Sequence, residues 1–356
     1  MHFEGKNLRI SVFGQSHAPA VGAVMEGIPA GMRIDMDRLQ SFLARRAPGQ
    51  GRFTTARKET DMPEFLSGIT DGKTCGAPVC IVIRNRDTKS ADYDEFRRVP
   101  RPGHADWPAL VRDGGNHDIR GGGQFSARLT APVCAAGGIA LQLLEERGIR
   151  IGAHAAAIGT QVDDRFDPVR VSAADFDRIL ANGFPTLSEK AGNEMLEEIE
   201  KAREEQDSLG GTVEVAATGL PVGIGDALFG GLESALGAAY FGIPAVKGVE
   251  FGDGFFAALM RGSQHNDAYT VQNGKVTPRT NHAGGLLGGM TTGMPLIARI
   301  AFKPTPSIAR EQQSVDLEKM EETRLTIRGR HDPCVVPRAV PVTEAVTALV
   351  LLDRLL

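Results

Sequence analysis

Histidine and arginine gather on glycine-rich stretches of this chain rather than on regular helical faces. Gly14-Gln15-Ser16-His17 is one such stretch, and Arg45, Arg46, Arg52 and Arg57 flank the turn Pro48-Gly49-Gln50-Gly51. Three more follow: Arg101-Pro102-Gly103-His104-Ala105-Asp106, then Arg120-Gly121-Gly122-Gly123 with Ser126-Ala127-Arg128, then Arg328-Gly329-Arg330-His331-Asp332. Glycine lets backbone N–H groups approach a ligand, arginine neutralises phosphate and carboxylate, and imidazole moves protons near neutral pH. Taken singly, a loop histidine is a surface or structural residue more often than a catalytic one. Five such loops in one chain point to an enzyme acting on a small phosphorylated acid.

Two nucleotide motifs come close and fail. Residues 67–74 end like a P-loop, but Ser67 stands where the phosphate-cradling turn needs its leading glycine. Residues 121–126 approach the dinucleotide fingerprint with Ser126 in the last place, and they follow a charged loop rather than a strand. That segment still leads into a helix expected from Ser126, whose free N–H groups can hold an anion.

The elements that must carry these loops alternate irregularly. Residues 8–13 and 21–25 read as paired strands across the loop 14–20. Residues 35–46 read as a helix capped by Asp35, with Leu39, Phe42 and Leu43 on one face. Further strands are expected at 78–83, 149–158, 212–217 and 296–302. A long helix is expected over 126–147 with Gly148 as its stop, a charged, solvent-facing helix over 187–206, and a final helix over 341–356. Without strict βαβ alternation, the fold class is α+β; with no repeat and no linker, residues 1–356 read as a single domain.

Composition excludes several classes of function. The 356 residues carry a net charge of −4 and only 6% aromatics, which argues against nucleic acid as a partner. Of the 40 basic residues 30 are arginine and 10 lysine, a bias that suits an anionic small-molecule site as well as it suits a GC-rich genome. Glycine, 43 residues, is about 12% of the chain against a usual ~7%. Cys75, Cys80, Cys134 and Cys334 lack metal-ligand spacing and read as reduced structural thiols, so no metal is expected. The apolar run 129–144 falls short of the ~20 residues needed to span a bilayer. The start, MHFEGKNLRISVFG, lacks the layout of a signal peptide, so the chain reads as cytoplasmic, without a membrane partner.

The strings GQSHAPAVGAVMEGIP, RRAPGQGRFTTARKETD, RPGHAD, RGGGQFSAR, AVKGVEFGDGF, NHAGGLLGG, KPTPS and GRHDPCVVPRAVP, in that order, resemble the signature blocks of the chorismate synthase family. The resemblance runs over nearly the whole chain. It implies helices packed between β-sheets, a homotetramer, and a reduced-FMN-dependent 1,4-anti elimination of phosphate from 5-enolpyruvylshikimate 3-phosphate. The product, chorismate, ends the common part of the shikimate pathway of aromatic amino-acid biosynthesis, and the enzyme is a carbon–oxygen lyase.

By position, His17 matches the family histidine that protonates the departing phosphate, and His104 the one held against the flavin. Asp332 matches the aspartate that helps to take the substrate proton through flavin N5, and Ser16 and Ser126 match relaying hydroxyls. Arg46, Arg52, Arg101 and Arg128 match the arginines that hold substrate, the first two also matching an NADPH site in some relatives. The FMN positions are Gln124, Phe125, Ser126, Pro244, Ala245, Gly288, Lys303, Pro304, Thr305, Pro306, Ser307 and Arg330. The chain departs from the pattern at Gln15 and Ala18, which replace an acid and a glycine. It departs again at Gln124-Phe125 for Arg-Ser, Leu129 for Glu and Pro244 for Asn, so one positive charge is lost at position 124. His17, His104 and Asp332 are retained, which separates an active enzyme from an idle flavin- or anion-binding relative.

Overall fold

The computed structural model describes residues 1–49, 59–86, 91–327 and 332–356, the side chains of 91, 92 and 94 excepted. Arg52, Arg57, Arg328, Arg330 and His331 lie outside the described residues.

Apolar strands form an N-terminal sheet of β1 (His2–Glu4), β2 (Arg9–Gly14), β3 (Ala20–Glu26), β4 (Pro63–Ser67) and β5 (Val79–Arg84), ordered β1-β2-β3-β5-β4. Every neighbouring pair is antiparallel, with Arg9 opposite Glu26 and Gly14 opposite Val21 across the first hairpin. The expected strand pair 8–13 and 21–25 is therefore present. A second antiparallel sheet joins β6 (Arg150–Ile158), β7 (Gln161–Val162), β8 (Gly211–Thr218), β9 (Val246–Phe251) and β10 (Leu296–Phe302) in the order β9-β10-β8-β6-β7. The failed P-loop, 67–74, is the end of β4 followed by a small hairpin of Ile69–Thr70 and Lys73–Thr74.

Helices α1 (Met36–Arg46), α3 (Thr130–Glu145) and α7 (Val336–Leu355) lie between the sheets; α2 is Asp106–Arg112, α4 Ala173–Ala181, α5 Glu189–Glu204 and α6 Leu232–Phe241. The Asp35 carboxylate accepts from the Arg38 N–H at 2.9 Å and caps α1, whose Leu39 and Leu43 are buried. Gly137 lets α3 meet α7, since a Cβ there would fall 2.3 Å from that of Ala345. One apolar core runs from β2, β3 and β5 through α3 and α7 to β6, β8 and β10.

Three expectations shift. The helix expected from Ser126 begins at Thr130: Ser126 instead caps a 3-10 turn, Ala127–Leu129, accepting from the Arg128 N–H at 3.3 Å. With that turn the stretch Ala127–Glu145 is long and apolar enough to cross a bilayer, but most of it is buried in the protein. The last helix starts a turn before Pro341, because Pro337 suits a helical first turn and Val336, Ala339 and Val340 are buried. The charged helix, α5, also turns one face inward through Ala191, Met195 and Ile199.

A buried ionic cluster braces the second sheet. His154 on β6 places Nδ1 2.8 Å from Asp163 and Nε2 3.1 Å from Glu214 of β8, and Arg299 of β10 reaches Glu214 at 3.3 Å. Asp163 also accepts the N–H groups of Leu187 and Ser188 at 2.6 and 3.0 Å. Burial disfavours the imidazolium, but Asp163 and Glu214 outweigh it and raise the His154 pKa. Its stabilisation is complete below the unfolded value of about 6.5 and fades as pH rises through the raised folded one. The difference in urea midpoint between wild type and His154→Ala should therefore shrink from pH 6 to pH 9; a difference independent of pH would refute a charged His154.

Candidate functional site

The catalytic candidates sit where the chain leaves regular structure, around a cavity of about 690 Å³. The β2–β3 loop brings Ser16 and His17, the loop before α2 brings Arg101 and His104, and the turns before α3 bring Gln124, Phe125, Ser126 and Arg128. The α6–β9 connection adds Pro244 and Ala245, the segment after β10 adds Lys303, Thr305, Pro306 and Ser307, and the segment leading into α7 adds Asp332. Arg46 reaches the cavity from the last turn of α1. Pro304 lies between lining residues without lining the cavity. Gly288 is outside the set, on the turn joining Leu286–Leu287 to Met290–Thr291.

Glycine is required at the corner between the two histidines. Gly121 and Gly122 have φ of +60° and +81°, where a side chain is strained. A Cβ on Gly121 would lie 2.6 Å from His17 Cδ2 and from Ser16 Oγ, and one on Gly122 would lie 3.1 Å from His104 Nε2. His17 meets the Tyr93 ring edge-on at 5.1 Å. Across the cavity Ala245 holds φ +74°, costly for a residue other than glycine, with its carbonyl accepting from the Lys303 N–H at 2.9 Å.

Two buried carboxylates organise the cations. Asp61 bridges Arg46, at 2.5 Å, and Arg128. Burial would raise the Asp61 pKa, but the two guanidiniums hold it below the usual carboxylate range. Asp106 takes Arg101 Nε at 2.7 Å and His104 Nδ1 at 2.6 Å. Arg101 Nη1 also donates to Ser307 Oγ at 3.2 Å, and its guanidinium lies 4.5 Å over the Phe96 ring. Asp332 pairs with Arg338, whose Nε donates to the Arg46 carbonyl at 2.9 Å. Burial lowers the pKa of His104 and of Arg338.

Among the described residues that line the cavity, Arg46, Arg101, Arg128, Arg338, Lys247 and Lys303 outnumber Asp332, and Asp61 and Asp106 behind the wall offset only part of that charge. This suits a multiply anionic ligand. A planar cofactor with a phosphate tail fits the same walls: Phe302, Ile243 and Val335 give an apolar surface and Lys303 a cation. The Thr305 hydroxyl is buried there without a hydrogen-bond partner among the described residues, the kind of polar group a ligand satisfies.

Sequence reading missed Asp61, Tyr93, Asp106 and Arg338. Asp61 and Asp106 close two of the arginine-rich blocks, and Arg338 follows Asp332 by six residues. A carboxylate ending an arginine-rich loop was the available signal; Tyr93 had none, since only folding brings it to His17.

The sequence model of the chorismate synthase family matches residues 8–356. The chorismate synthase of Thermococcus gammatolerans is 49% identical over 354 residues, covering 99% of this chain and 97% of that protein. That of Korarchaeum cryptofilum is 46% identical over 352 residues, covering 99% and 96%. A crystal structure of chorismate synthase superposes with a TM-score of 0.77 at 29% identity, covering 99% of this chain and 92% of that one. Sequence, fold and a cationic cavity lined by His17, His104 and Asp332 thus agree, and this chain belongs to the chorismate synthase family.

Proposed function

We propose that this chain eliminates phosphate and the C-6 hydrogen of 5-enolpyruvylshikimate 3-phosphate in a 1,4-anti sense, giving chorismate. The observation that carries the reading is the meeting of His17, His104 and Asp332 on one cavity with a surplus of positive charge. Arg46, Arg101 and Arg128 neutralise the substrate's phosphate and carboxylates. His17 gives a proton to the departing phosphate, which leaves poorly as a fully charged ester. Asp332, kept beside Arg338, accepts the proton lost from carbon, and Ser16 and Ser126 relay protons between these groups. Reduced FMN, when bound, lends electron density to the breaking C–O bond and recovers it, so that no net redox change results.

In this reading Gln124–Ser126, Pro244, Ala245 and Lys303–Ser307 hold the flavin, with Gly288 and Arg330 completing the family's set. NADPH or a separate reductase keeps the flavin reduced. The four free thiols fit a cytoplasmic setting. The exposed Phe229, Phe255, Phe256 and Leu259 fit burial in a homotetramer. The continuous core supports one domain over the whole chain.

Phosphate release from the substrate, measured anaerobically, should require FMN together with dithionite and should be absent with oxidised FMN. Flavin should also bind more tightly when substrate is present. Turnover in flavin-free buffer would overturn the reading.

A further inference from the structure

We propose that Asp106 is a positioning residue that fixes His104 with its proton on Nδ1 and leaves Nε2 as the nitrogen offered to the cavity. This rests on the functional reading for what His104 does, but not for how the ring is held. His104 Nδ1 lies 2.6 Å from Asp106 Oδ1 and 3.1 Å from Arg101 Nη2. A carboxylate can only accept and a guanidinium can only donate, so the two neighbours demand opposite tautomers. The carboxylate is the nearer, and Arg101 Nη2 is already engaged with Asp106 Oδ1 at 2.8 Å. Nδ1 therefore carries the hydrogen.

Asp106 is itself held rigidly. Its side chain is 2% exposed and accepts from the Arg101 backbone N–H at 3.1 Å and from Arg101 Nε at 2.7 Å. Arg101 in turn is packed on Phe96 and tied to Ser307. The carboxylate cannot follow a rotating imidazole, so the ring is set by it. Nε2, on the far side of the ring, lies against the Gly121–Gly122 corner of the cavity wall.

The charged groups around His104 are Asp106, Arg101 and Lys303. With Asp106 neutralised, both cations remain and the imidazolium becomes harder to form. Nitrogen-detected NMR of the flavin-free enzyme should show wild-type His104 protonated on Nδ1 in its neutral form. In Asp106→Asn its titration should move about 1–3 pH units lower, with the Nδ1 tautomer no longer enforced, and Asp106→Glu should restore part of both. A pyridine-type Nδ1 in the wild type would overturn the proposal whatever the variants do. So would an Asp106→Asn enzyme with unchanged tautomer and titration. Neither readout depends on turnover, so loss of the elimination activity and loss of this assignment are separately observable.

Discussion

His17→Ala is expected to bind flavin nearly as the wild type does and to release phosphate about 10²–10⁴-fold more slowly, the usual worth of a positioned general acid. His17 stands on the β2–β3 loop, between the Tyr93 ring edge and the Gly121 backbone, where alanine leaves its neighbours in place. His104→Ala is expected to fail differently. Its ring packs on the next glycine, Gly122, and is bound to Asp106, so its loss should change the spectrum or pKa of bound reduced flavin as well as the rate. The contrast follows from charge placement, because an imidazole acts strongly only on the group it touches. Anaerobic phosphate release and the spectrum of bound reduced FMN check both variants. Unchanged spectra with both variants fully active would remove both assignments.

Local signals in the sequence were enough for the framework and for the loops of the site. The apolar strand runs 8–13 and 21–25, the Asp35 cap and the Gly148 stop are short-range devices, and each appears where the residues place it. Helix ends set by long-range burial were less legible. The core around Val336 starts the last helix a turn before Pro341, and the Ser126 hydroxyl closes a 3-10 turn before α3 begins. The lining residues could be named in advance because glycine, arginine and histidine mark them chemically. Among their partners, Asp61 carried a weak signal as the carboxylate closing an arginine-rich block, but Asn85 and Tyr93 carried none, because they reach Arg128 and His17 only through sheet pairing and loop return, which carry no sequence period.

Asp61→Asn is expected to cost about 3–5 kcal/mol of stability, the range found when one partner is removed from a buried ion pair. That is a large share of the roughly 5–15 kcal/mol that holds an average domain folded. The Asp61 side chain is fully buried and bridges two guanidiniums that are themselves 3% exposed. Thr130 Oγ1 and the Ala127 carbonyl hold Arg46, while Asn85 Oδ1 and the Arg84 carbonyl hold Arg128, so neither arginine can swing out to water without breaking further bonds. Asparagine is the right replacement because Asp61 has φ +49°, which asparagine tolerates and alanine does not. The defect is then one of charge rather than backbone. Because the folded pKa is lowered, the contribution of Asp61 is present above its unfolded value of about 3.9 and is lost as pH falls through the folded one. The gap in urea midpoint between wild type and variant should therefore be widest near neutrality and close in acid. Without Asp61, Arg46 and Arg128 also face the cavity without the carboxylate that bridges them, so inorganic phosphate should raise the variant's midpoint more than the wild type's. A variant that loses less than about 1 kcal/mol and gains nothing extra from phosphate would show that the two arginines do not depend on this carboxylate.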